Sequence, residues 1–316
     1  MKRKTMSRCL FCYKELDKGE HDFHARCARK FFGASTAPVM DYTQADMDHL
    51  AEQIIRSQTT LTGVQPKLSL NIQKHEGSQR LTIVGLWGAY IFKPQTTAYA
   101  ELPENEDLTM HLAEIAGIRT AQHSLIHLAD GSLGYLTRRM DRDALGNKLP
   151  MEDLCQLTER QTEYKYRSSY KQVAKAIEKY SSVPQLDLVN FYEVVLFCWI
   201  TGNNDMHLKN FSLLSKESGR YELSPAYDLL NATIVNTADT EELALTLNGK
   251  KKHINRMDFV EAAGKVGISE KIVVGMVKQF EKCLTAWEEK IDESFLSDET
   301  KINYKLLIIN RINRLL

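Results

Sequence analysis

The fold of this chain is decided by NNDMHLKNFSLL, the stretch at residues 203–214. It follows a long apolar run at residues 191–200 and leads into a short apolar segment at residues 211–214, so it is a loop between buried elements. The loop carries side chains that bind metal ions or transfer protons, namely Asn203, Asn204, Asp205, His207, Lys209 and Asn210. Asp and Asn are also common turn formers, so only their spacing and their order along the chain indicate catalysis.

The elements around this loop change in kind along the chain. Residues 42–142 predict a β-rich lobe with helices at 43–56 and 104–116 and strands at 68–72, 81–86, 89–92, 123–128 and 133–138. Residues 143–316 predict a mainly helical lobe with short strands at 211–214 and 221–223 and helices at 150–157, 169–180, 187–201, 256–264, 269–287 and 300–315. This α+β order favours a two-lobed protein that holds a nucleotide in the cleft between its lobes.

The candidate catalytic residues occur in the order that phosphoryl transfer requires. Lys93 ends an apolar strand, from which it could reach ATP phosphates, and Glu106 on the next helix is either its partner or a solvated acid at a helix N-terminus. In protein kinases a catalytic-loop Asp accepts the hydroxyl proton and an Asn five residues later binds Mg²⁺. Asp205 and Asn210 have this spacing, and Asp228 follows two short strands as the second Mg²⁺ ligand.

Other residues would complete the site. Lys209 could steady the γ-phosphate, whereas His207 is expected to support the loop, because Asp205 already fills the role of proton acceptor. The turn at 60–67 has one Gly and could place backbone N–H groups against phosphates, and adenine would contact the segment 137–141. The nucleotide-binding residues predicted in these two segments are Gly63, Val64, Gln65, Lys67, Arg138, Met140 and Asp141. The polar loop at 164–167 could contact a protein substrate, but it is expected to be solvated.

Together these motifs resemble those of the HipA family, the serine/threonine kinase toxins of bacterial toxin–antitoxin systems. The matching pieces occur in family order and are LTGVQPKLSL (61–70), YIFKP (90–94), ENEDLTMHLAEIAGI (104–118), YLTRRMDR (135–142), LPMEDLCQL (149–157), NNDMHLKNFSLL (203–214) and LSPAYDLL (223–230). The resemblance implies a protein-kinase-like fold and the phosphorylation of Ser or Thr in a protein with ATP and Mg²⁺. It also implies aminoacyl-tRNA synthetases as the substrate class.

The family's functional residues map onto this chain one by one. The catalytic Asp corresponds to Asp205, the metal ligands to Asn210 and Asp228, and the ATP-contacting lysine to Lys93. The family hinge usually reads Glu-Arg-Phe-Asp-Arg, whereas here it reads Arg-Arg-Met-Asp-Arg from residue 138, so only backbone contacts to adenine are expected.

Regulation and partners are also implied by the resemblance. Family members autophosphorylate a Ser just before the GxQ turn, which makes Thr60 and Thr62 candidate sites, although both are also ordinary turn residues. The chain is expected to be a short form that lacks the family's N-terminal subdomain, which would be a separate small protein. Its antitoxin would be a HipB-like helix-turn-helix protein.

Two other functions stay open at this point. A small-molecule kinase of the aminoglycoside type shares the two lobes and the Asp, Asn, Asp order, but the LTGVQPK turn argues against it. An inactive kinase-like binding module is the other alternative, and the complete set of Lys93, Asp205, Asn210 and Asp228 argues against that.

A Cys/His-rich module, predicted at residues 1–36, precedes these motifs. Cys9-x2-Cys12 and His24-x2-Cys27 have the spacing of a tetrahedral Zn²⁺ site, with His21 as a competing ligand and a metal-free thiol cluster as the alternative. Four protein ligands leave no open position, so the zinc would be structural. Residues 34–41 are expected to be a linker to the lobes at 42–142 and 143–316.

Charge and hydropathy narrow the class of protein further. The formal net charge is zero, which gives no support for direct DNA binding or for a membrane partner. No apolar run is long enough to span a bilayer, and Lys2, Arg3 and Lys4 are not followed by the apolar segment of a secretory signal. The protein is therefore expected to be cytoplasmic.

Overall fold

The computed structural model describes residues 7–57, 66–75, 78–84 and 88–316. It is an α+β protein with an antiparallel sheet toward the N-terminus and mainly helices after it, which confirms the predicted fold class. The chain forms two compact units. Unit 1 comprises Met1–Asp107, Ala121–Arg139 and Glu293–Phe295, and unit 2 comprises Leu108–Thr120, Met140–Asp292 and Leu296–Leu316. The predicted domain bounds stay a prediction.

Unit 1 is built on a five-stranded sheet in the order β2-β1-β3-β5-β4, in which every neighbouring pair is antiparallel. The strands are β1 (Leu68–His75), β2 (Ser78–Ile83), β3 (Tyr90–Pro94), β4 (His123–His127) and β5 (Leu133–Arg138). Its helices are α1 (Ala25–Phe32), α2 (Gln44–Ser57) and the first turns of α3 (Leu102–Ile115). The central strand β3 pairs with β1 and β5, so its backbone is held on both sides.

The register of the central strands follows from their buried side chains. Leu68 of β1 lies opposite Phe92 of β3, and both are at most 5% exposed. Phe92 also needs space on β5, where a Cβ atom added to Gly134 would lie 2.2 Å from its ring. Gly134 is therefore required by close packing, and this packing fixes the end of β3.

Unit 2 contains a three-stranded sheet in the order β6-β7-β8 and most of the helices. The strands are β6 (Met151–Asp153), β7 (Ser212–Glu217) and β8 (Arg220–Leu223). The remaining helices are α4 (Leu154–Leu157), α5 (Tyr170–Tyr180), α6 (Pro184–Thr201), α7 (Ala232–Val235), α8 (Arg256–Gly264), α9 (Glu270–Glu293) and α10 (Asp298–Asn313). Helix α6 is the buried centre of this unit, and Phe197 on it packs edge-on against Trp287 of α9.

The predicted helix at 150–157 is wrong in its first half. Met151–Asp153 forms β6, which pairs with Ser212–Leu214 of β7. The backbone of Asp153 is extended, and its carboxylate accepts a hydrogen bond from the backbone N–H of Gln156. A helix N-cap has this conformation, so the helix begins only at Leu154.

The segment 34–41, expected to be a linker, is part of the sheet region. Val39 exchanges backbone hydrogen bonds with Gln79 and Leu81, at 2.8 and 2.9 Å, and so lies beside β2. Thr43 and Asp46 form a capping box at the start of α2, since each side chain accepts a hydrogen bond from the other residue's backbone N–H. Among the described residues, no helix combines the length and apolar character needed to cross a membrane.

Candidate active site

Lys93 and Glu106 form a buried ion pair within unit 1. Lys93 is on β3 and Glu106 on α3, and the distance from Nζ to Oε1 is 2.6 Å. Both side chains are at most 5% exposed. The ammonium also lies 5.4 Å from the ring centroid of Tyr135, its partner residue on β5. An unpaired buried charge would be costly, so each residue needs the other as its counterion. The structure thus pairs two residues that the sequence only suggested as partners.

In unit 2 the candidate catalytic loop begins at Gly202, directly after α6. Gly202 has φ of +76°, and a Cβ atom there would lie 2.6 Å from Oδ1 of Asn231. Only Gly fits both conditions. The sequence analysis did not single out this residue, although a Gly at the end of an apolar helix is a recognisable C-terminal signal.

Three amide side chains hold the loop together. Asn203 Oδ1 accepts a hydrogen bond from the backbone N–H of Asp205 at 3.2 Å, and Asn204 Nδ2 donates to the backbone carbonyl of Glu241 at 3.0 Å. Asn210 Nδ2 donates to the Asp205 carbonyl at 3.2 Å. This bond commits the donor end of the Asn210 amide to the protein. Oδ1 is therefore the end of Asn210 suited to a metal ion, as its predicted role requires.

The carboxylate of Asp205 is only partly buried, and Tyr166 donates a hydrogen bond to its Oδ1 through the phenol hydroxyl. Burial, together with the negative charge of Asp205, raises the pKa of Tyr166, so the phenol keeps its proton and remains a donor. Tyr166 packs edge-on against His207, with 4.9 Å between ring centroids. The expectation of a merely solvated loop at 164–167 therefore missed Tyr166, because nothing in the local pattern reveals a contact 39 residues away.

Asp228 lies after β7 and β8, and its segment is hydrogen-bonded to the catalytic loop. Asn203 Nδ2 donates to the Asp228 carbonyl at 3.5 Å. The neighbouring Tyr227 donates from its hydroxyl to the Lys209 carbonyl at 2.8 Å. Asp228 itself has φ of +58°, in the left-handed region. These contacts fix the backbone of the two predicted metal-binding segments against each other.

Lys209 is engaged with an acid at the base of the loop. Its Nζ lies 3.0 Å from Oδ2 of Asp153, and the side chains are 37% and 15% exposed. A contact of Lys209 with a γ-phosphate, as the sequence suggested, would have to replace this ion pair. The Lys209 side chain is partly exposed, and exposure to water lowers the cost of breaking the pair.

The other predicted nucleotide-binding residues are spread over both units. Arg138 ends β5 with an exposed side chain in unit 1. Met140 and Asp141 belong to unit 2, where the buried Asp141 lies 2.8 Å from Nη1 of Arg142. Lys67 is exposed just before β1. Five predicted residues lie outside the described part of the chain, namely Thr60, Thr62, Gly63, Val64 and Gln65.

The predicted zinc ligands lie together in unit 1. The ligand atoms of Cys9, Cys12, His24 and Cys27 are all within 4.8 Å of one another, whereas His21 is exposed and not part of the group. His24 Nδ1 is 3.4 Å from the sulfur of Cys12 and 3.7 Å from that of Cys27. Zinc bonds of about 2.0 to 2.3 Å would place tetrahedral ligand atoms roughly 3.5 to 3.8 Å apart, so this set fits the ion.

The surroundings of the cluster also suit a cation. His24 Nε2 lies 2.8 Å from the Glu15 carbonyl, a bond that directs Nδ1 toward the thiols. A hydrogen bond from Cys12 lowers the pKa of the Cys9 thiol to about 4, while the same bond raises the pKa of Cys12. Burial raises the pKa of Cys27. Crowded thiols thus compete for one negative charge, and a bound divalent cation would relieve that competition.

Comparison with known proteins identifies the family of this chain. The family model described as "HipA-like C-terminal domain" matches residues 59–287. "Putative kinase Y4dM" of Sinorhizobium fredii is 29% identical over 244 residues, which cover 72% of this chain and 59% of that protein. A "Putative kinase" of Haemophilus influenzae is 24% identical over 241 residues, covering 68% and 69%. The match therefore spans only part of the length of these relatives.

Two solved structures share the fold. HipA of Shewanella oneidensis, in a complex with HipB and its operator DNA, superposes with a TM-score of 0.69 at 20% identity, covering 87% of this chain and 71% of that chain. The Helicobacter pylori proinflammatory kinase CtkA superposes with a TM-score of 0.55 at 15% identity, covering 78% and 93%. At these identities the likeness concerns the fold, which is kinase-like.

Proposed function

This chain belongs to the HipA-like C-terminal domain family, and from that premise we propose that it is a serine/threonine protein kinase that uses ATP and Mg²⁺. The observation that carries the proposal is the loop of unit 2, in which the amides of Asn203 and Asn210 both bond to the backbone of Asp205 and Asn203 also bonds to the Asp228 carbonyl. The buried Lys93–Glu106 pair of unit 1 supports it with a positioned ammonium for phosphates.

The proposed reaction transfers the γ-phosphoryl group to a hydroxyl of a protein. Asp205 orients the hydroxyl and accepts its proton, while a bond forms between the hydroxyl oxygen and γ-phosphorus and the bond to the leaving ADP oxygen breaks. Asn210 and Asp228 would hold Mg²⁺, which offsets the charge of the phosphate oxygens. Lys93 would contact the α- and β-phosphates, because its pairing with Glu106 fixes the direction of the ammonium.

The biological role that we propose is that of the toxin in a HipA-like toxin–antitoxin pair. The substrate class would be aminoacyl-tRNA synthetases, and the partner a HipB-like antitoxin, as in the complex of the Shewanella structure. Autophosphorylation at Thr60 or Thr62 would inactivate the enzyme. Cys9, Cys12, His24 and Cys27 would bind a structural zinc ion.

The test is the transfer of label from γ-³²P-ATP. The protein is incubated with bacterial extract, and Asp205→Asn serves as the matched control, since Asn has the same shape without the charge. We expect one labelled band of synthetase size that the variant does not produce. Label confined to small molecules would indicate the aminoglycoside-type alternative. If the wild type transferred no more label than Asp205→Asn, the protein would be a binding module. Either result would overturn the proposal.

A further inference from the structure

The Cys/His module is part of unit 1 and packs against the elements that carry Lys93 and Glu106. On β4, the backbone N–H of Leu125 and the hydroxyl of Ser124 both donate to the Leu10 carbonyl at 3.3 Å. On β3, the ring of Tyr90 lies 5.8 Å from that of Phe31 on α1. Tyr90 begins the strand on which Lys93 lies three residues later, so the module supports this strand from its first residue.

The third contact reaches helix α3. Tyr13, which follows Cys12 directly, is 1% exposed and donates from its hydroxyl to Asp107 Oδ2 at 2.6 Å. The other oxygen of Asp107 lies 2.6 Å from Nδ1 of His123 on β4. Asp107 is the residue after Glu106, so a carboxylate clamped by two buried partners fixes the turn of α3 that presents Glu106 to Lys93.

Tyr13 itself holds a backbone conformation that needs support. Its φ is +66°, in the left-handed region, which costs a non-glycine residue about 1 to 2 kcal/mol. The conformation is closed by a hydrogen bond of 2.9 Å from the Tyr13 N–H to the Cys9 carbonyl. This turn includes Cys9 and Cys12, so a metal ion that joins the two thiols would hold the strained conformation in place.

We propose that the metal site formed by Cys9, Cys12, His24 and Cys27 positions the nucleotide-binding residues. Bound zinc maintains the hydrogen bond from Tyr13 to Asp107 and thereby fixes the position of the Lys93–Glu106 ion pair. The inference rests on the proposed function for its consequence, the affinity for ATP. The effect of zinc on structure does not rest on the proposed function, because it concerns how well ordered α3 and β3 are, whether or not nucleotide is bound. Tyr13 is a positioning residue, since it acts through Asp107 and Glu106.

The experiment compares zinc-loaded wild type, zinc-stripped wild type and Tyr13→Phe. Zinc content is measured by mass spectrometry, amide hydrogen exchange is followed on α3 and β3, and the affinity for a fluorescent ATP analogue is titrated. Tyr13→Phe keeps all four ligands and the ring but loses the bond to a charged acceptor. We expect one zinc ion per chain in the loaded wild type and in the variant. We also expect faster exchange at the start of α3 and about ten-fold weaker ATP binding in the variant and in the stripped protein.

The matched control is Tyr192→Phe. Tyr192 is also buried and donates to the Ala262 carbonyl at 3.0 Å, but it lies in unit 2. We expect it to leave ATP affinity and α3 exchange at wild-type values. Wild-type protein without zinc, or a Tyr13→Phe variant with unchanged α3 exchange, would overturn the inference. Exchange that responds to zinc in a protein that binds no ATP would support the positioning role while refuting the proposed kinase.

Discussion

The residues proposed to act on ATP are held in two different ways. Lys93 and Glu106 lie on a central strand and a helix, are almost fully buried, and neutralise each other at 2.6 Å. Asp205 lies on a loop, is partly exposed, and is held by amides, backbone groups and Tyr166. In unit 1, folding and the proposed binding function therefore depend on the same pair. In unit 2, the carboxylate proposed to accept the proton can be changed without disturbing a core.

The largest effect should come from the loop and should leave the fold intact. Asp205→Asn removes the proposed proton acceptor, and we expect the rate of phosphoryl transfer to fall by about 10³-fold. The melting temperature should stay within about 2 °C, because the side chain is not part of the core. The measurements are γ-³²P transfer and thermal unfolding followed by circular dichroism. A variant that lost its fold together with its activity would remove the contrast with unit 1.

The reverse outcome is expected for the buried pair. Glu106→Ala leaves the Lys93 ammonium buried without its counterion, which should lower the free energy of unfolding by about 3 kcal/mol. Urea denaturation measures this loss.

The double variant Lys93→Met with Glu106→Leu sharpens the test of the buried pair. It removes both charges and should regain most of the lost stability, whereas ATP binding should be lost because the Lys93 ammonium is gone. Equal instability of the single and double variants would show that packing, rather than charge, dominates at this pair.

A second acid of α3 gives a prediction that depends on pH. Burial raises the pKa of Glu104 to about 7, from 4.5 in an unfolded chain, and its Oε2 has no hydrogen-bond partner. The folded state thus holds the proton more tightly, and stability is lost as the pH rises from about 4.5 to 7. Glu104→Gln should raise stability by up to about 3 kcal/mol at pH 8 and by nearly nothing at pH 4.5.

The comparison that measures this effect is urea denaturation of wild type and Glu104→Gln at both pH values. A stabilisation by Glu104→Gln that is equal at pH 4.5 and pH 8 would contradict the assignment to this carboxyl.

The smallest effect concerns Tyr166. Tyr166→Phe keeps the ring against His207 and removes only the hydrogen bond to Asp205. Loss of one bond to a charged group that is still partly solvated should lower kcat about five-fold, with little change in KM for ATP. Steady-state kinetics measure both. A kcat reduced as far as in Asp205→Asn would show that Tyr166 acts on the substrate directly.

Sequence patterns were sufficient for the fold class and for most elements. Alternating apolar residues located the strands of unit 1, and the change to helical periodicity located unit 2. The error at 150–157 arose because Met151–Asp153 pairs with a strand about 60 residues away, a partner that local periodicity cannot reveal. For the same reason, the Lys93–Glu106 pair stayed one of two alternatives until the structure brought β3 and α3 together.

The candidate site also contains residues that local sequence predicts and residues that only long-range contacts reveal. Spacing alone was enough to suggest Asp205, Asn210 and Asp228 as a set. The residues that hold this set were missed. Tyr166 and Tyr227 act through contacts between distant segments, and Gly202 acts through its backbone angle. The sequence assigned Lys209 to phosphate because it gave no indication of the contact with Asp153, whose carboxylate lies 3.0 Å from the Lys209 ammonium.

The backbone of Asp228 has a consequence for how this protein can drift during evolution. At φ of +58°, only Gly, Asn and Asp are accommodated without appreciable strain. A change to Ala would combine the loss of a carboxylate with a local strain of about 1 to 2 kcal/mol. A change to Asn, one base substitution away, would remove the charge alone. Under the proposed metal-binding role of Asp228, a silenced descendant can therefore arise in a single step, keep its fold, and persist in a genome as an intact but inactive copy.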